Sequence, residues 1–137
     1  MKKQIFIISI ILIGCFALLS MTALKSNVQE EWEVPSKYQK MENPYASDAD
    51  ADNIGRILYS KHCKSCHGSK GQGDGTKADS IDTEMGDFTD GSLTDQTDGS
   101  LYYKTFFGRD DMPGFSKKIN DEQEQWLLIN YLRKLSK

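Results

Sequence analysis

The run Cys63-Lys64-Ser65-Cys66-His67 places two thiols and an imidazole within five residues. On a helix, Cys63, Cys66 and His67 stand at i, i+3 and i+4 and so share one face. This C-x-x-C-H order is the pattern of covalent haem attachment. Two thiols on one face can add to the two vinyl groups of a single porphyrin, and the adjacent imidazole then points at its iron. Rival chemistries fit less well. Zinc needs four ligands around one point. His62, Cys63, Cys66 and His67 crowd into two turns, and no second ligand pair occurs elsewhere. A thioredoxin-like thiol pair belongs in an α/β setting, and no segment here reads as a confident strand. A plain disulfide leaves the Cys66–His67 adjacency and the glycines after it unexplained.

Porphyrin fills four of the six positions on a haem iron, and His67 is the candidate for a fifth. The sixth has four candidates: Met85, Met112, His62, or no ligand at all. His62 lies on the attachment helix and cannot reach the opposite face. Met85 follows His67 by 18 residues, in a loop rich in carboxylates. Met112 follows by 45, in Asp111-Met112-Pro113-Gly114. Pro113 biases Met112 towards an extended backbone that can aim a thioether at iron. A lone methionine is often core filler. With an acceptor at hand, Met112 is the favoured ligand, and a Met/His pair raises the reduction potential.

These groups need elements to hold them. Asp48 and Asp50 are candidate caps for a helix carrying Ile54, Ile57 and Leu58 at helical spacing. That helix should end near Cys66–His67, where Gly68, Gly71, Gly73 and Gly75 interrupt it. Residues 68–99 have no strong period. Eight carboxylates and one lysine between Asp74 and Asp98 predict a solvated loop. Asp98 is a candidate cap for a short helix from Leu101 to Phe107, with Gly108 closing it. Asp121 and Glu124 form a capping box that opens a last helix through Leu135. Trp126, Ile129, Leu132 and Leu135 mark its buried stripe. The compact domain thus spans 46–137.

The chain has 137 residues, with 3 Cys and 2 His, a length for one domain and a tail. Three cysteines are too few for a disulfide scaffold. A net charge of −3 argues against a nucleic-acid partner. From residue 25 onward there are 15 basic and 20 acidic side chains, a net −5. Lys2 and Lys3 precede Ile5–Leu24, which is uncharged. As a helix this run is roughly 30 Å long, the thickness of a bilayer core. The lysines would remain in the cytoplasm, with the domain on the periplasmic, extracytoplasmic side. Residues 1–24 therefore read first as an uncleaved membrane anchor. A lipoprotein signal comes second, with Leu12-Ile13-Gly14-Cys15 lipidated at Cys15. A cleaved signal comes third, because Met21 or Leu18 falls where a small residue is needed. Residues 25–45 read as a linker, since Pro35 and Pro44 discourage a helix. Trp32, Val34, Tyr38 and Tyr45 make it more apolar than a free tether needs, so part of it is expected against the domain.

Together these residues resemble the class I c-type cytochromes, bacterial monohaem proteins attached here to a membrane. The resemblance runs from about Ala46 to Leu135. It rests on the helix before Cys63, the haem motif, Gly71-Gln72-Gly73-Asp74-Gly75, Gly108-Arg109 with Met112-Pro113, and the aromatic last helix. It implies a small all-α cytochrome c fold around one covalent haem c, with the first and last helices crossing. It implies that Gly55 lets Trp126 or Tyr131 approach closely. It also implies Met112 as sixth ligand. The implied activity is one-electron transfer in a respiratory chain, with redox proteins as partners and neither enzymatic turnover nor a small-molecule substrate at iron. Two other readings stay open: a tethered subunit of a larger oxidoreductase, and a haem enzyme or gas sensor with an open sixth position. Thr76 stands where relatives often carry proline, which predicts a less rigid loop beside His67. Arg109 has two readings, a partner for a haem propionate or an exposed arginine beside Asp110 and Asp111.

Overall fold

A computed structural model describes residues 31–136. The segment 1–24, its Cys15 and the first part of the linker lie outside the described residues. No helix among the described residues is long and apolar enough to cross a membrane. In chain order the α-helices are α1 (Ser36–Gln39), α2 (Ile54–His62), α3 (Lys64–His67), α4 (Asp98–Phe107) and α5 (Glu122–Leu135). A hairpin, β1 (Gly108–Arg109) and β2 (Met112–Pro113), lies between α4 and α5.

Helix α5 begins where the sequence places it. The Asp121 carboxylate accepts the Glu124 N–H at 2.9 Å. Glu122 and Glu124 lie in its first turn, and Arg133 and Lys134 in its last, charges that suit the helix dipole. Its buried face is wider than the three-residue stripe suggests. Trp126, Leu127, Leu128, Ile129 and Leu132 are all buried, because α2 and α4 both pack against α5. Each large apolar side chain so enclosed stabilises the fold by roughly 1.5–3 kcal/mol.

The crossing of α2 and α5 depends on Gly55. A Cβ there would collide with the Leu127 carbonyl and lie 2.8 Å from the Tyr131 Cβ. Close approach is therefore to Leu127 and Tyr131, not to Trp126. The Tyr59 and Tyr131 rings meet at 5.4 Å beside the crossing. Leu58 and Tyr59 face the core, whereas Ile57 is 58% exposed, so the apolar spacing of α2 overstates its buried face.

Four local expectations change. Asp48 caps a single 3-10 turn, Ala49–Asp52, rather than the α-helix itself. Helix α4 starts at Asp98, not Leu101, and its cap is Thr97, whose hydroxyl accepts the Ser100 N–H at 3.1 Å. Asp98 instead pairs with Arg133 at 2.8 Å. The 68–99 run is more than a solvated loop, since Leu93 is buried and Phe88 packs against the core. Residues 32–45 pack on the domain, as their apolar side chains lead one to expect: Met41 and Tyr45 lie against the core, and α1 contacts α4.

Candidate haem-attachment site

Cys63 ends α2 and opens α3, with φ −115° and ψ −37°. The expected single helix is thus broken at Cys63 and resumes for one turn. The turn is still closed by backbone bonds. The N–H groups of Cys66 and His67 donate to the Cys63 carbonyl at 3.1 and 3.0 Å. Cys63, Cys66 and His67 keep their i, i+3, i+4 relation on one short turn.

The following loop is stitched onto this turn. Gly73 N–H donates to the His67 carbonyl at 3.0 Å, Gly75 N–H to Cys66 at 3.1 Å and Lys77 N–H to Ser65 at 2.8 Å. The buried Tyr59 hydroxyl donates to the Gly68 carbonyl at 2.8 Å. Burial, ahead of its neighbours' charges, raises the pKa of that phenol, so it stays a neutral donor. These bonds supply the order that Thr76, in place of proline, withholds. They require Gly75, where a Cβ would sit 2.5 Å from the Cys66 carbonyl oxygen. Gly75→Ala is expected to cost about 2–3 kcal/mol through this overlap. Urea unfolding would measure it, and an unchanged midpoint would mean the loop docks otherwise.

Cys63 and Cys66 are free thiols. Burial, then the neighbouring Cys66, pushes the Cys63 thiol up to about 12. The enclosed Cys63 sulfur suits a thioether, which carries no charge to desolvate. Among the described residues, no three His, Cys, Asp or Glu side chains converge as ligands for a metal ion. Burial also lowers the pKa of His67, while the Met85 carbonyl facing the ring pulls weakly the other way. The imidazole is thus held neutral, the form that donates a lone pair to a metal. Among the described residues its buried Nδ1 has no partner in full hydrogen-bond geometry, so the Met85 contact is a loose one. Phe88 stacks on the ring at 4.6 Å and 27°. Two thiols on one turn beside a neutral, half-enclosed imidazole fit a covalently held haem.

Met112 is half-buried and packs against the core cluster. The hairpin carries it, with Arg109 opposite Met112 and Gly108 opposite Pro113. Asp110 takes the left-handed turn conformation at φ 52°, which aspartate tolerates better than most residues. Phe115 N–H and Ser116 N–H donate to the Thr105 and Phe106 carbonyls, each at 3.3 Å, tying the hairpin's exit to α4. Thr83 Oγ1 donates to Asp111 at 2.6 Å, joining the loop near Met85 to the hairpin. Arg109 Nε lies 3.2 Å from the Asp110 carboxylate, and its guanidinium lies 4.8 Å from the centre of the Trp32 ring. Of the expected site residues, Cys63, Cys66 and His67 are gathered on one turn, Met112 and Arg109 share the hairpin, and Cys15 lies outside the described residues. Sequence reasoning missed Phe88 as a wall of the His67 site. An isolated aromatic in an acidic, glycine-rich run was its only signal.

A helical domain built around a C-x-x-C-H turn, with its loop docked beneath, defines a haem-attachment protein. Residues 53–136 match the cytochrome c family, and the chain belongs to it. A search of curated proteins gave no match. Haem c bound covalently and electron transfer through that haem follow from the family.

Proposed function

We propose that this chain is a one-electron carrier in an exported respiratory chain, held at a membrane by residues 1–24. Cys63 and Cys66 would hold the haem through thioethers, and His67 and Met112 would be the ligands of its iron. When bound, the haem supplies the one-electron couple. The protein's own groups do the rest. Burial encloses the Cys63 sulfur and favours the neutral His67 imidazole. Phe88 shields the His67 ring, and the loop bonds hold the attachment turn in place.

The observation that carries this reading is the turn bearing Cys63, Cys66 and His67, closed by its own backbone and pinned by the loop that follows. Two further features support the finer assignment. The Met85 backbone faces the His67 ring, so that residue serves the histidine side through its carbonyl. Met112 instead comes from a separate element, packed on the core. Lys61, Lys64 and Lys70 are exposed around the turn, while the loop after it is acidic. That asymmetry suits orientation of a charged redox partner. The test is a potentiometric titration followed in visible light. It should give a reversible one-electron slope. A two-electron slope, or no visible band, would contradict the proposal.

A further inference from the structure

The segment 32–45 lies before the stretch matched to the family, 53–136, yet it is fastened to the domain at several points. The Tyr38 ring meets Tyr103 at 4.8 Å and Phe107 at 5.2 Å. Asn43 Nδ2 donates to Asn130 Oδ1 at 2.7 Å, and Asn130 Nδ2 donates in turn to the Tyr45 carbonyl at 2.6 Å. Gly99 leaves room for this strap, because a Cβ there would overlap the Tyr38 carbonyl and lie 2.7 Å from that of Met41. So anchored, the strap delivers Trp32 to the hairpin. The Arg109 guanidinium is 4.8 Å from the Trp32 ring centre, and Lys104 Nζ is 5.8 Å away. Arg109 is the cross-strand partner of Met112. Trp32 thus meets Arg109, which pairs with Met112 across the hairpin.

We propose that Trp32 is a positioning residue for Met112: its ring holds Arg109, and with it the hairpin, so that the Met112 thioether stays on the iron. The proposal rests on the reading of Met112 as axial ligand. A cation over a tryptophan face is favourable mainly through the ring's quadrupole. Removing the ring frees the Arg109 side of the hairpin. Met112 then leaves the iron more readily, and an added ligand takes its place at lower concentration. A contact of this class changes such an equilibrium by roughly 5- to 30-fold.

The experiment uses the full-length ferric holoprotein titrated with imidazole. Loss of the far-red sulfur-to-iron band reports displacement of methionine. Trp32→Ala and Trp32→Leu should both bind imidazole roughly 5- to 30-fold more tightly than the unaltered protein, whereas Trp32→Phe should recover most of the difference. Trp32→Leu keeps apolar bulk at the site, so it carries the test if Trp32→Ala folds poorly. In a Met112→Ala background, Trp32→Leu should add nothing, because there is no thioether left to hold. Equal imidazole affinity in Trp32→Leu, Trp32→Phe and the unaltered protein would overturn the role of Trp32, and a fall in urea midpoint without that affinity change would do the same. If Met112→Ala itself retained the far-red band, both the ligand assignment and this proposal would fall.

Discussion

Gly55→Ala should lose at least about 3 kcal/mol of folding stability, and Gly55→Val should leave no folded domain. The reason lies at the crossing of α2 and α5. A methyl at position 55 meets the backbone carbonyl of Leu127 and lies 2.8 Å from the Tyr131 Cβ. Neither atom belongs to a flexible side chain that can swing aside, so the helices must separate. Overpacking where side chains can adjust costs about 1–3 kcal/mol, and a rigid carbonyl puts this site at or above the upper end. A small domain has only about 5–15 kcal/mol in all. Parting the helices also uncovers Tyr59, Leu127 and Leu128, which are almost fully buried. The damage should reach the site, since α2 runs directly from Gly55 to Cys63, which caps its end. Urea unfolding of purified holoprotein measures the loss. A midpoint for Gly55→Ala equal to that of the unaltered protein would show that the crossing does not depend on this contact.

Met112→Ala should open the sixth position. The ferrous variant is expected to bind carbon monoxide at least about tenfold more tightly than the unaltered protein, a difference of ~1.4 kcal/mol. Its reduction potential should fall, because thioether sulfur is a soft donor that favours ferrous iron. Met85→Ala is the control, expected to bind carbon monoxide within about twofold of the unaltered protein. Its contribution beside His67 comes from the main chain, which alanine preserves. Tight carbon monoxide binding in the Met85 variant alone would exchange the two assignments. Tight binding by the unaltered protein would favour an enzyme or sensor over a carrier.

Much of the site was legible because its signals are local. C-x-x-C-H states its chemistry within five residues, and the turn that presents it is closed by its own backbone. Asp121 and the apolar residues of α5 likewise announce that helix in adjacent sequence. What stayed hidden depends on contacts distant in the chain. The hairpin has two residues per strand, too few for any alternation to register. Its strands are defined by pairing around Asp110–Asp111, which composition does not reveal. Asp98 looked like a cap because aspartate favours that position, but Arg133, 35 residues on, holds it at 2.8 Å. Phe88 and Leu93 sat in an acidic run whose charge masked their burial. Trp32 and Tyr38 made the linker unusually apolar, yet their partners, Arg109, Tyr103 and Phe107, emerge only from the fold. The resemblance makes Gly55 a close-approach position towards Trp126 or Tyr131; Tyr131 is one of its neighbours, and the other, Leu127, depends on the rotation of α5.

The central claim is that Cys63 and Cys66 hold haem covalently on the turn that presents His67. It is tested most directly by denaturing the protein, purified after periplasmic expression, in acid under reducing conditions and asking where the haem absorbance goes. The colour should stay with the polypeptide, at one haem per chain, and be absent from the double variant Cys63→Ser, Cys66→Ser. Haem that extracts freely into organic solvent, or colour retained by the double variant, would contradict the account.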